Sequence, residues 1–331
     1  MKSVFIVWER YNRRPELFAQ HLGAEVHNIA YGRKGKWLHA LMKYPAQALK
    51  TVFILRRERP SVIFVQNPPI LCALLVCLYS QLWRTQFVID SHTGAFLLPV
   101  WRWSLGLHRR LSRRARVTIV HNVDQEEIVK RWGCRYSVLG YIPGDYPTGT
   151  TRPLAGQFRI AVVSTFASDE PLAVIFDAAA GIPEVGFYIT GDSRRIPRSL
   201  LARKPENCHL TGYLTYGQYV GLLRGADAVM DLTSQDHTLL QGGFEAVSVG
   251  KPLITSDWPV LKNYFSLGTV HIPNTAYGIL EGVRRVQREQ DVLQKGILCL
   301  REQLQVEWAR GFSDFQDLLR ADQPGSPEQP A

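Results

Sequence analysis

The sequence predicts an α/β protein built from two doubly wound parallel sheets in tandem. Three observations predict it. Short apolar runs alternate with helical patterns along the chain, as parallel β-α-β units require. The alternation stops once, at 143–157 (PGDYPTGTTRPLAGQ), where Pro, Gly and Thr crowd together, and then restarts. The length of 331 residues exceeds what a single core commonly organises.

In the first half, Val4–Trp8 reads as a strand, Pro15–Leu22 as a helix stopped by Gly23, and Glu25–Ile29 as a second strand. Lys36–Arg57 carries Trp37, Leu38, Leu41, Met42, Leu49, Val52 and Phe53 at helical spacing, and Pro45 is expected to kink or split that helix. Ser61–Val65 is a third strand, broken by Gln66-Asn67-Pro68-Pro69. An apolar helix covers Ile70–Trp83 and a fourth strand Phe87–Asp90. The loop SHTGAF leads to a helix over Val100–Arg114, a strand at Val117–Val120, a helix at Asp124–Trp132 and a short strand at Tyr136–Leu139.

After the break the order is strand Phe158–Val163, helix Pro171–Ala180, strand Val185–Thr190, short helix Pro197–Arg203 and strand His209–Tyr213. Helix Tyr216–Arg224, strand Ala228–Leu232, helix Gly242–Val249 and strand Pro252–Thr255 follow. Two helices, near Ala276–Gln290 and Val292–Ala309, close the pattern. The expected domains are 1–145 and 158–321, joined by a linker at 146–157. The last helix is a candidate to cross back to the first domain, and the tail from 322 is expected to be disordered.

Charge divides the same way. Residues 1–150 hold 22 of the 39 Lys and Arg but 9 of the 29 Asp and Glu, a net of +13 against −3 for the rest. The first half therefore suits an anionic partner such as a lipid surface, a nucleotide or a nucleic acid. Val4–Trp8 is too short for a secretion signal, and Ile70–Trp83 falls short of the roughly 20 residues a spanning helix needs. The five cysteines form no CxxC and no zinc pattern. Core thiols in a reducing, cytoplasmic compartment are the expectation.

Chemistry concentrates at Gln241–Asp257 (QGGFEAVSVGKPLITSD). Gly242 and Gly243 open a helix whose free N–H groups suit a diphosphate, and Glu245 in its first turn suits ribose hydroxyls. An ordinary helix start with a dipole-favoured Glu explains the same residues. The segment resembles the donor site of family-4-type glycosyltransferases with the GT-B fold, in which two Rossmann-like domains face a cleft. Glu245-Ala246, Gly250-Lys251-Pro252 and Leu253–Thr255 match the second part of that motif. The first acidic position falls on His237, beside Asp236, which departs from the family. Ile189–Asp192, Gly212-Tyr213-Leu214 and LLRGADAVMDLTS resemble the strands around the nucleotide. The family's Arg and Lys after the first strand of the second domain are replaced by Ser164–Glu170 (STFASDE), which has no base. The resemblance implies donor contacts from Glu245, Gly242, Gly243, His237, Thr165, Gly191 and Tyr213, with Arg194, Arg195 or the first domain supplying charge. It implies no essential metal and no cofactor beyond a nucleotide-diphosphate sugar.

In the first half, IFVQNPP at Ile63–Pro69, an apolar helix and FVIDSH at Phe87–His92 resemble the dolichol-pathway β-1,4-mannosyltransferases and their bacterial relatives, which act on lipid diphosphate-linked acceptors. Glu9, Asp90 and His92 follow strands and are the candidates for a general base. Asp90 reads nearly as well as a loop cap, and His121 reads better as a satisfied strand-end histidine. Arg13 and Arg14 open a helix, where they suit an acceptor phosphate.

Lys36, Lys43, Lys50 and Arg57 recur every seven residues. Seven steps of roughly 100° return each to within about 20° of the last. Arg109 and Arg113 belong to a second basic helix that begins near Trp101 and Trp103. A solvated face explains either helix alone; the two together fit an anionic membrane surface. The expectation is a glycosyltransferase at the inner face of the plasma membrane. It would act on a lipid-linked or growing glycan in polysaccharide or glycoconjugate synthesis. A nucleotide-sugar 2-epimerase shares the fold. A nucleic-acid-binding protein shares the charge, although no nucleic-acid-binding motif is present.

Overall fold

A computed structural model describes residues 2–10, 12–31, 37–142, 144, 146, 149–150 and 154–321, with backbone alone at 37–41. The chain forms two compact units, one drawing on residues up to Ile142 and from Glu307 onward, the other on 143–306.

The first unit runs β1 (Ser3–Val7), α1 (Arg13–Leu22), β2 (Glu25–Asn28), α2 (Trp37–Glu58), β3 (Val62–Asn67), α3 (Ile70–Trp83) and β4 (Gln86–Ser91). It continues through α4 (Gly94–Leu97), a 3-10 turn at Pro99–Ser104, α5 (Leu105–Arg114), β5 (Val117–Val120), α6 (Val123–Trp132) and β6 (Tyr136–Val138). All pairs in the sheet are parallel, in the order β2-β1-β3-β4-β5-β6. Both faces are covered, so the inner strands β1, β3 and β4 are apolar through their middles, while the edge strand β2 is not. Val4, Ile6, Ile63 and Val65 pack with Ala73 and Val76 of α3 on one side. Phe5, Val7, Phe64 and Val88 pack with Phe18 of α1 and with Trp308 and Phe315 on the other.

The second unit runs β7 (Phe158–Val162), α7 (Leu172–Ala180), β8 (Val185–Thr190), α8 (Arg198–Leu201), β9 (Cys208–Gly212), α9 (Tyr216–Gly225) and β10 (Ala228–Asp231). Then come α10 (Gln241–Val249), β11 (Leu253–Ser256), α11 (Pro259–Tyr264), β12 (Thr269–Ile272), α12 (Ala276–Arg288) and α13 (Gln290–Arg320). This sheet is also parallel, in the order β12-β11-β10-β7-β8-β9. The strand order reverses between β1 and β3 in the first sheet and between β7 and β10 in the second. Ligands of such sheets bind beyond the strands' carboxyl ends at those reversals.

Local chemistry explains the ends of the helices. The Asn12 side chain accepts from the Arg14 amide and Gly23 closes α1 in the left-handed region at φ 61°. Asn122 and Gly133 do the same for α6, and Thr215 with Gln218 forms a capping box on α9.

Several expectations change. Pro45 does not split α2, which runs unbroken from Trp37 to Glu58. The helix expected over Val100–Arg114 begins as a 3-10 turn. Expected to end at Ala309, α13 continues to Arg320, because Phe312, Phe315, Leu318 and Leu319 pack with Phe18 and its neighbours. Short elements α4, α11 and β12 carry too few residues for a clear pattern. The described part of the expected linker lies in the second unit. The Thr150 amide donates to the Gly217 carbonyl, and the Thr150 backbone lies so close to Gly221 of α9 that a side chain there would collide with it. The expected disordered tail, 322–331, lies outside the described residues, as does Lys36.

Candidate active site

In the first unit, strand register assembles a polar cluster at the carboxyl edge of the sheet. Asp90 pairs in register with Gln66 of β3 on one side and Ile119 of β5 on the other. Residues just past these positions meet above the sheet. The Asp90 carboxylate, fully buried, receives Arg14 Nε at 3.3 Å, His92 Nε2 at 3.2 Å and His121 Nε2 at 3.0 Å. Arg14 also donates to the carbonyls of Leu139 and Gly140. The His92 backbone amide donates to the Asn67 carbonyl at 2.8 Å, which ties the His92 loop to the end of β3. Two consecutive cis peptide bonds, Asn67-Pro68 and Pro68-Pro69, follow that carbonyl. Glu9 stands on the neighbouring strand end, accepting from Gln66 Nε2 at 3.2 Å and Asn12 Nδ2 at 3.4 Å.

Electrostatics assign the protons. Burial alone would raise the Asp90 carboxyl, but the Arg14 guanidinium and the two histidines outweigh it and hold it well below the usual carboxylate range. An ionised carboxylate only accepts hydrogen bonds, so both histidines donate through Nε2–H and keep Nδ1 as the basic nitrogen. Burial, then Arg14, pushes His121 down to about 3, so it is neutral. His92, with its side chain 20% exposed, is the more accessible of the two.

These residues sharpen one reading and correct another. His121 is a satisfied strand-end histidine whose partner is Asp90, which it shares with His92, their ring centroids 4.7 Å apart. The order β4-β5 alone carries that signal, and it requires the sheet topology. Arg13 and Arg14 do not form an open phosphate clamp. Successive helical side chains diverge by about 100°. Arg14 therefore turns inward to Asp90, while Arg13 pairs with Glu16 at 3.5 Å. The described His, Cys, Asp and Glu side chains form one grouping close enough for a metal, Asp90 with His92 and His121. Arg14 on the same carboxylate opposes a cation there.

A second buried histidine, His108, bonds Ser91 Oγ at 2.8 Å and packs against Phe96 and Trp132. Burial pushes it down to about 3. The unfolded chain protonates both His108 and His121 near pH 6.5, while the fold rejects those protons until about 3. Unfolding therefore takes up protons, and stability falls as pH drops from about 6.5 towards 3. A melting temperature clearly lower at pH 5 than at pH 7 is expected. Equal values would show that these histidines are not held neutral.

In the second unit, Thr165, Gly191, Tyr213, His237 and the start of α10 all follow strand ends on the carboxyl edge of one parallel sheet. Gly191, at φ 114°, has no room for a side chain: a Cβ there would stand 2.7 Å from the Ser164 carbonyl oxygen and 2.8 Å from the Phe166 ring. Tyr213 is 87% exposed, free to stack on a planar ring. His237 adopts a left-handed backbone at φ 58° and its side chain is largely exposed beside Asp236.

The glycines of α10 have a packing role beside the expected one. Their backbone faces Asp231 of β10 and the Phe265 ring. A Cβ on Gly242 would meet Asp231 Oδ2 at 2.5 Å, and one on Gly243 would meet the Phe265 ring at 2.7 Å. They are small because the helix sits tight on β10 and α11. Burial, then Glu245 and Glu170, raises Asp231 well above the ordinary range. Glu245 is buried and accepts from the Tyr219 hydroxyl and from Gln241 Nε2. Sequence reasoning passed over Asp231, Tyr219 and Glu170, whose positions depend on tertiary contacts.

Of the expected membrane cations, Lys50, Arg57, Arg109 and Arg113 are exposed and Lys43 is half-buried. Arg113 donates to the Trp132 carbonyl.

Residues 3–144 match the model of the glycosyl transferase 4-like domain, and residues 172–306 match that of a glycosyl transferase-like family. The chain is therefore a two-domain glycosyltransferase. It belongs to the family-4-type glycosyltransferases with the GT-B fold. Its structure is similar to sucrose-phosphate synthase of Thermosynechococcus elongatus, at TM-score 0.74 and 12% identity over 97% of this chain and 99% of that one. It is also similar to Anabaena HepE in complex with UDP-glucose, at TM-score 0.73 and 12% identity over 96% and 100%. A putative UDP-N-acetylglucosamine 2-epimerase of Listeria monocytogenes matches at TM-score 0.62 and 10% identity over the whole of both chains. No curated protein matches the chain in sequence.

Proposed function

We propose that the protein transfers a sugar from a nucleotide-diphosphate donor, held on the strand-end loops of the second unit, to a hydroxyl of a lipid-linked or growing glycan. The observation that carries the acceptor half is the Asp90-backed His92. His92 Nδ1 takes the hydroxyl proton as the acceptor oxygen bonds the anomeric carbon and the diphosphate oxygen leaves it. The resulting imidazolium is stabilised by the Asp90 carboxylate it already touches. Direct displacement of this kind inverts the anomeric centre. HepE, with UDP-glucose bound, supports a nucleotide sugar as the donor class. Incubation with a panel of nucleotide sugars should release nucleoside diphosphate from one of them in the presence of a glycan or lipid-linked acceptor. No binding and no release across the panel would remove the donor reading. Formation of the 2-epimer without an acceptor would favour the epimerase instead.

A membrane surface as the working location rests on α2 and α3. Met42, Leu49 and Phe53 are exposed on one face of α2, with Lys50 and Arg57 beside them. Leu78, Leu82 and Trp83 are exposed on α3, and the Arg56 guanidinium lies 5.5 Å from the Trp83 ring centroid. Apolar side chains bordered by cations suit the headgroup boundary of an anionic bilayer, on the cytoplasmic face of the plasma membrane. No described helix is long and apolar enough to cross a membrane. Replacing Leu49 and Phe53 with Ser should reduce sedimentation with phosphatidylglycerol vesicles without lowering the melting temperature. Undiminished sedimentation would assign the face to solvent.

A further inference from the structure

At the strand reversal of the second sheet, where a diphosphate is expected, an anion is already in place. The loop after β7 turns its amides inward, with Phe166 in the left-handed region at φ 56°. Successive amides in such a turn make a concave nest for an anion. The Glu170 carboxylate fills it. Thr165 N donates to both carboxylate oxygens at 3.0 Å, Phe166 N donates at 2.8 Å and Thr165 Oγ1 at 2.8 Å, and the Ser164 hydroxyl completes the set. No described Lys or Arg forms an ion pair with Glu170. Its donors are those a phosphoryl group would use, and its charge is the one a phosphoryl group would bring.

Two further features make the nest a ligand site. Thr165 is exposed, so the nest opens to solvent. Arg195 donates from its guanidinium to the Thr165 carbonyl, which places a cation on the same loop. A diphosphate entering beside Glu170 would meet its carboxylate and find the amide donors taken.

We infer that Glu170 is a built-in competitor of the donor, occupying the Thr165–Phe166 nest as a phosphate mimic that the diphosphate must displace to bind. This rests on the nucleotide-sugar reading and adds to it a reason for weak donor binding until the nest is vacated. Departure of Glu170 exchanges one anion for another on the same donors, so the loop keeps its hydrogen bonds in both states. A donor that lacked the diphosphate would gain nothing from the exchange.

The test is calorimetric titration of the full chain, as wild type, Glu170→Gln and Glu170→Ala, with UDP, GDP, inorganic pyrophosphate and uridine. Removing the internal anion should tighten at least one diphosphate ligand by about tenfold or more in the Ala variant, with Gln intermediate and uridine unchanged. Equal or weaker diphosphate binding by folded variants would overturn the competitor role and leave the donor reading intact. If Ala fails to fold, Gln decides by the same comparison. Absence of binding to UDP, GDP and pyrophosphate in all three proteins would overturn both.

Discussion

Replacing His92 with Ala should lower kcat by about 10²- to 10⁴-fold, the range by which a positioned general base accelerates proton transfer. Donor affinity should change far less than kcat, because the lost group acts on the proton of the acceptor hydroxyl. Stability should fall less than on loss of Arg14, since Arg14 and His121 both remain on Asp90. His92→Gln should lose as much activity, because an amide can keep the contact with Asp90 but cannot accept a proton at neutral pH. The expectation follows from proton placement. Asp90 is ionised and accepts from Nε2–H, which leaves Nδ1 to receive the acceptor's proton. A kcat within a few-fold of wild type would remove His92 from the chemistry. Steady-state rates with saturating donor, combined with donor titration, separate the two quantities.

The largest effect on stability is expected at Arg14. Its guanidinium bonds Asp90 and the carbonyls of Leu139 and Gly140, so one side chain joins α1, the end of β4 and the segment after β6. Arg14→Met would leave the Asp90 carboxylate buried with only His92 and His121 as partners. Breaking a buried pair from one side costs about 3–5 kcal/mol. Arg14→Lys should recover little, because a single ammonium cannot reproduce a fork that meets three acceptor groups. Adding Asp90→Asn to Arg14→Met should cost less than the two single losses combined, since each removes the other's unpaired charge. Chemical denaturation of the four proteins checks this. A loss below about 1 kcal/mol for Arg14→Met would mean that water satisfies Asp90.

Alternation of strand and helix is legible in the sequence because parallel strands buried on both faces are short apolar runs. Val62–Val65 and Val117–Val120 are such runs. The site was legible where polar residues interrupt a strand end, as in the FVIDSH segment that carries Asp90 and His92. It was not legible where neighbours come from elsewhere in the sheet. His121 reaches Asp90 because β5 lies beside β4. Arg14 reaches it across 76 positions of sequence. The α10 glycines carry two readings at once: their sequence fits an anion site, and packing against Asp231 and Phe265 also explains their size. Glu170, four residues beyond a backbone turn that no side-chain pattern announces, fills the Thr165–Phe166 nest.

The anomeric configuration of the product tests the central claim most directly. With the donor identified from the panel, proton NMR of the newly formed glycosidic bond should show inversion relative to the donor, as direct displacement assisted by the Asp90-backed His92 requires. Retention would contradict that mechanism, and the absence of any transferred sugar with every nucleotide-sugar donor would contradict the proposed donor class.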